Sequence, residues 1–134
     1  MSELLKRVID HEGFESKPYP DPLSGGEPYT FGHGLTYITA EESLVIVEQR
    51  LVNNTNALIA IWPWLTERPQ SVLEVVVEMS YQMGVRGVNN FRNMWAALQA
   101  EDYERAAAEM LDSRWARQTP GRAQSLSDII RGLA

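Results

Sequence analysis

Apolar residues recur at helical spacing along most of the chain, and the exception is a single stretch between Pro18 and Gly34 that holds the only clustering of proline and glycine. Before it, Leu4, Leu5, Val8 and Ile9 keep helical spacing, and Gly13 is placed to end a helix of about three turns with Glu12 at its C-terminal end. The segment from Lys17 to Ile38 is poor in helix formers. Its Pro-Asp-Pro and Ser-Gly-Gly turn signals are flanked by Tyr, Thr and Phe, which predicts a small hairpin. At Thr39 the period changes again. Thr39-Ala-Glu-Glu42 fits a capping box, and Leu44, Val47, Leu51, Leu58 and Ile59 can share one face of a long helix that stops at Trp62-Pro63-Trp64.

The remaining pattern predicts helices throughout. Pro69 can open one that runs to Gln82 with Gly84 as its stop, and Asn90 can cap another that buries Phe91, Met94, Trp95 and Leu98. A further helix is expected over Asp102 to Leu111. Thr119-Pro120 then offers a capping hydroxyl and a first-turn proline for the last helix, which Gly132 can close. Trp95, Trp115 and the Val75-Val76-Val77 run are expected in the core; of Trp62 and Trp64, one is expected buried and the other partly exposed. The fold class is therefore α+β and predominantly α-helical, with a small β-hairpin after helix one packed beside a helical lobe. We read residues 1 to 134 as one domain, with residues 14 to 38 as the hairpin lobe and residues 1 to 13 and 39 to 134 as the helical lobe.

Composition narrows the function. The formal charge is −6, which excludes a sequence-independent nucleic-acid binder. Residues 1 to 67 carry four bases against ten acids, and residues 68 to 134 carry eight of each, every base there being arginine. Cysteine is absent, so disulfides, thiolate metal sites and cysteine nucleophiles are ruled out. The N-terminal MSELLKRVIDHE has acids where a signal peptide needs an apolar core, and no apolar run is long enough to span a bilayer. Cytoplasmic synthesis without stable membrane insertion is expected. No metal-ligand spacing or phosphate-binding glycine loop is present, so no cofactor or metal is expected.

Glu12, Asp21 and Thr30 form the candidate catalytic set, because two carboxyls in different surroundings plus a hydroxyl can converge at the mouth of a hairpin. Glycoside hydrolysis needs that arrangement: one carboxyl protonates the leaving oxygen while the other stabilises charge or activates water. Solvated surface charge is the ordinary alternative for any of the 18 acids.

The local strings Ile9-Asp10-His11-Glu12-Gly13-Phe14, Tyr19-Pro20-Asp21 and Tyr29-Thr30-Phe31-Gly32 resemble the glutamate, aspartate and threonine triad of the phage-type lysozymes. A second block is similar to the C-terminal lobe of the T-even phage members. It comprises Met79-Ser80-Tyr81-Gln82-Met83-Gly84, Gly87-Val88, Phe91, Ser113-Arg114-Trp115, Gln118-Thr119-Pro120 and Arg122-Ala123.

The resemblance implies a muramidase that cleaves the β-1,4 bond between N-acetylmuramic acid and N-acetylglucosamine in peptidoglycan. Glu12 would be the general acid, with Asp21 and Thr30 positioning water for inversion, which requires a carboxyl separation of about 6.5 to 9.5 Å. Arg122 would lie beside the glutamate, and Gln82 and Gln118 would line the cleft, with Tyr81, Gly32 and His33 as further supporting positions. A guanidinium beside Glu12 would orient the carboxyl but lower its pKa, so burial would have to oppose it. His11, one residue before Glu12, points about 100 degrees around the helix from it.

The family pattern is not followed everywhere. The hairpin loop from Pro22 to Pro28 is longer. In Gly32-His33-Gly34 the histidine comes one position early, which strand alternation turns to the other face, and the stretch between hairpin and long helix is almost absent. Two other readings stay open: a catalytically inactive wall-binding or virion structural module, and a chitin-type glycosidase on the same fold. For the muramidase, a monomer is expected that acts in host lysis. It would be released from the cytoplasm to the periplasm by a holin or carried on a virion.

Overall fold

The computed structural model describes residues 2–20 and 29–134. Helix α1 spans Glu3–Glu12. Ser2 caps it by accepting the amide of Leu5, and the amide of Gly13 closes it on the Ile9 carbonyl at 2.9 Å. Strands β1 (Glu15–Pro20) and β2 (Tyr29–Gly32) then pair antiparallel, with Tyr19 opposite Thr30 and an irregularity between Glu15 and Tyr19. This is the expected hairpin. Asp21 and the loop over 22–28 lie outside the described residues.

Helix α2 (Ala40–Ile61) starts as its sequence dictates. The Thr39 amide donates to the Glu42 carboxylate at 2.9 Å and the Glu42 amide to the Thr39 hydroxyl at 3.1 Å, a reciprocal capping box. The Thr39 backbone amide, and after it the Thr39 hydroxyl, hold the Glu42 carboxyl below its ordinary pKa of 4.5. Because the folded pKa is depressed, the carboxylate's capping contribution is complete above 4.5 and is lost as pH falls on through the lower folded pKa.

Helix α2 ends before Pro63, and a 3₁₀ turn over Pro63–Glu67 leads to α3 (Gln70–Asn89), α4 (Arg92–Gln99), α5 (Tyr103–Leu111), α6 (Arg114–Gln118) and α7 (Pro120–Arg131). The chain divides into two compact units, Met1–Ile46 and Val47–Ala134. The second holds nearly all the buried residues: Leu58, Leu65, the Val75-Val76-Val77 run, Met79, Trp95 and Leu98, closed by Ala106, Ala107, Met110, Trp115, Ala123 and Ile130. Arg68 joins two of its segments at the C-terminal end of α4, donating through Nε to the Leu98 carbonyl at 3.2 Å, which also accepts the Glu101 amide, and through Nη2 to the Gln99 carbonyl at 2.6 Å.

Gly84 stops the first helical run of α3 as expected, with φ 82° and ψ 159°, and a second helical run follows directly to Asn89. Other local expectations are corrected. Asn90 is the C-cap of α3, and α4 starts after Phe91 without a side-chain cap. The Thr119 hydroxyl does not cap α7 but donates back to the Trp115 carbonyl at 2.9 Å, because the residue also ends α6. Leu44 is exposed, whereas Leu51 and Leu58 farther along α2 pack into the core of the second unit. Trp62 and Trp64 are both half-buried: Trp62 stacks on Trp95 at 4.8 Å and donates to Asn89 at 3.0 Å, while Arg68 lies over the Trp64 ring.

One core position carries a stability prediction. Tyr103 is buried, and among the described residues its hydroxyl has no hydrogen-bond partner; burial pushes its pKa up, with the Glu101 charge adding to the effect and Arg68 opposing it. A buried hydroxyl without a partner costs free energy, so Tyr103→Phe is expected to stabilise the fold by about 1 kcal/mol. Thermal unfolding would then move up by a few degrees; a lower melting temperature would show that the hydroxyl is satisfied in solution.

Candidate active site

The first unit positions Glu12 by backbone geometry. Phe31 and Leu35 exchange backbone hydrogen bonds of 2.8 Å in both directions, which closes a tight turn over Gly32-His33-Gly34. Gly32 has φ 56° and Gly34 φ 74°, a conformation that side-chain-bearing residues adopt at a cost. Gly34 also lies directly against the Glu12 carboxylate. A Cβ there would overlap Oε2 and come within 2.7 Å of Cδ and 3.1 Å of Cγ. The glutamate at the end of α1 and the glycine of this turn are therefore in direct contact, and a side chain at position 34 would displace the carboxyl from where it lies.

Thr30 is buried, although its neighbours Tyr19 and Tyr29 are exposed. A buried hydroxyl in so small a hairpin is unusual, because polar side chains seldom give up water without a structural or functional partner. His33 sits in the turn rather than on the strand, so strand alternation does not set its direction. Its ring packs on Phe14 with centroids 5.2 Å apart. Asp21 lies outside the described residues.

In the second unit the expected positions are organised by α3. Gln82 accepts the indole N–H of Trp115 at 2.9 Å, which fixes one end of its amide and joins α3 to α6. One turn earlier, Glu78 accepts Arg122 Nε of α7 at 2.8 Å. Tyr81 is 40% exposed, leaving its ring available to a ligand. Gln118 is exposed at the C-terminal end of α6. Sequence reasoning passed over Gly34 and Glu78. The Gly-His-Gly string was a usable signal for the first, whereas the second contacts a residue 44 positions away and left no local trace.

Residues 9–131 match the family model described as phage lysozyme. The chain belongs to the phage lysozyme family. It is also similar to the pre-baseplate central spike protein Gp5 of Enterobacteria phage T4, with 35% identity over 99 residues. That match covers 69% of this chain but only 17% of the spike protein, so the chain spans about a sixth of that relative's length. Membership in the phage lysozymes agrees with the helical fold carrying one small antiparallel hairpin. Among the described residues, no helix is long and apolar enough to cross a membrane.

Proposed function

We propose that the chain, acting as one domain, hydrolyses the β-1,4 bond between N-acetylmuramic acid and N-acetylglucosamine by single displacement. Glu12 delivers its proton to the leaving glycosidic oxygen as the bond from that oxygen to the sugar C1 breaks. Water held by Asp21 and Thr30 attacks C1 from the opposite face and passes its proton to the Asp21 carboxylate. Arg122 orients Glu12, and Gln82, Gln118 and Tyr81 supply amides and an aromatic face for sugar. Gly32 and His33 shape the hairpin turn. The chemistry uses carboxyls and water alone, with no cofactor.

The observation that carries this reading is the contact between Glu12 and Gly34 in a chain of this family, since it gives one carboxyl, out of many, a backbone-defined seat. Incubation with purified peptidoglycan tests it. New reducing ends should be N-acetylmuramic acid, and chitin oligomers should be cleaved far more slowly. Equal cleavage of chitin would instead favour the chitin-type glycosidase, and failure to clear outer-membrane-permeabilised bacteria would favour an inactive wall-binding module.

The similarity to a central spike protein favours a second reading of where the chain acts: on a virion that breaches the wall on entry, in place of holin-dependent release during host lysis. Mass spectrometry of purified particles separates the two, because a virion component persists through purification and a released lysin does not.

A further inference from the structure

We infer that Glu78 is a positioning residue that sets the direction of the Arg122 guanidinium. The inference rests on the reading of Arg122 as the partner of the catalytic glutamate, and it concerns a residue to which neither the family match nor the sequence pattern gives a role. Glu78 Oε2 takes the Nε hydrogen of Arg122 at 2.8 Å, bridging α3 to α7 across 44 residues of sequence. A guanidinium is a rigid planar fork, so fixing the Nε edge also fixes where the Nη1 and Nη2 donors point. Among the described residues neither Nη atom has an acceptor, and two donors with a defined direction remain for a second carboxylate.

Glu78 also lies one turn from Gln82, whose amide is anchored by Trp115. The same face of α3 thus holds one expected site residue and orients another. The other ion pairs of the second unit are either contacts at 4.0 Å or the exposed Arg131–Glu104 pair, which involves no candidate site residue. The Glu78–Arg122 pair is itself partly exposed, with side chains 45% and 39% accessible. A pair so open contributes little to stability, so its more consequential role is orientation.

Steady-state kinetics on soluble peptidoglycan fragments, with melting temperatures measured alongside, provide the test. Glu78→Ala should lower kcat roughly five- to tenfold, the effect of one ordinary hydrogen bond lost from a partly exposed pair, with KM changed less than twofold. Glu78→Gln keeps an oxygen that can accept from Nε and should retain most of kcat. Glu78→Lys repels the guanidinium and should lose more than the alanine variant. In an Arg122→Ala background, Glu78→Ala should change kcat by less than twofold, because nothing remains to be oriented.

Two results would overturn the assignment: Glu78→Ala and Glu78→Lys both leaving kcat within twofold of the parent, or Glu78→Ala causing the same loss with Arg122 already removed. If either occurs while Glu12→Gln is inactive, only the role of Glu78 fails. Activity that survives Glu12→Gln overturns the catalytic reading and this inference together.

Discussion

Glu12→Gln is expected to reduce peptidoglycan cleavage by about two to four orders of magnitude, the range supplied by a general acid, while leaving the melting temperature within a few degrees of the parent. The amide keeps the size and shape of the side chain and loses only the transferable proton. Glu12 lies at the exposed end of α1 and makes no contribution to the core, so the fold has no reason to follow the activity down. Reducing-end release from purified peptidoglycan measures the first quantity and circular dichroism the second. A variant that stays within tenfold of the parent would mean that another group delivers the proton.

The second large effect is expected at a residue that carries no functional group. Gly34→Ala imposes a side chain on a backbone with φ 74°, which costs about 1–2 kcal/mol, and pushes the new methyl into the Glu12 carboxylate. The carboxyl has to move by an ångström or so, and displacement of that size can cost about a hundredfold in rate. Gly32→Ala is the matched control. That residue has a similar strain at φ 56°, but its added Cβ meets only the flexible Leu35 side chain at 3.4 Å. It should lose comparable stability and considerably less activity. Equal activity losses at the two positions would show that turn strain, and not contact with Glu12, is responsible.

Much of the fold was legible because its signals are local. The capping box at Thr39 and Glu42 and the stop imposed by Pro63 depend on neighbours within four residues, and the hairpin between two tyrosine-bearing segments on strands that follow one another in the chain. Each is present in the structure. The errors share a different origin. Asn90 and Thr119 are good capping residues by type, yet each sits where one helix ends immediately before the next begins, and the preceding helix takes the group. Leu44 has the right spacing for the core, but helical period alone cannot tell which turns of a long helix have something to pack against.

The candidate site divides in the same way. Glu12 and Thr30 are candidates because the order of residue types around them is distinctive, and the structure adds what order cannot give: a carboxyl against a glycine and a threonine that is buried. The aromatic group of Trp62, Trp64 and Trp95 and the Glu78–Arg122 pair are products of tertiary approach over tens of residues. The charge of −6 takes on a sharper meaning in this light. It belongs wholly to residues 1 to 67, which include Glu12, while the arginines belong mostly to the neutral second half.

The central claim is that water, and not a protein carboxylate, attacks the sugar carbon while Glu12 protonates the leaving oxygen. The configuration of the first-formed product tests it most directly. Proton NMR during hydrolysis of a soluble peptidoglycan oligomer should show the α-anomer of N-acetylmuramic acid at the new reducing end before mutarotation begins. Initial appearance of the β-anomer would contradict single displacement and require a covalent intermediate.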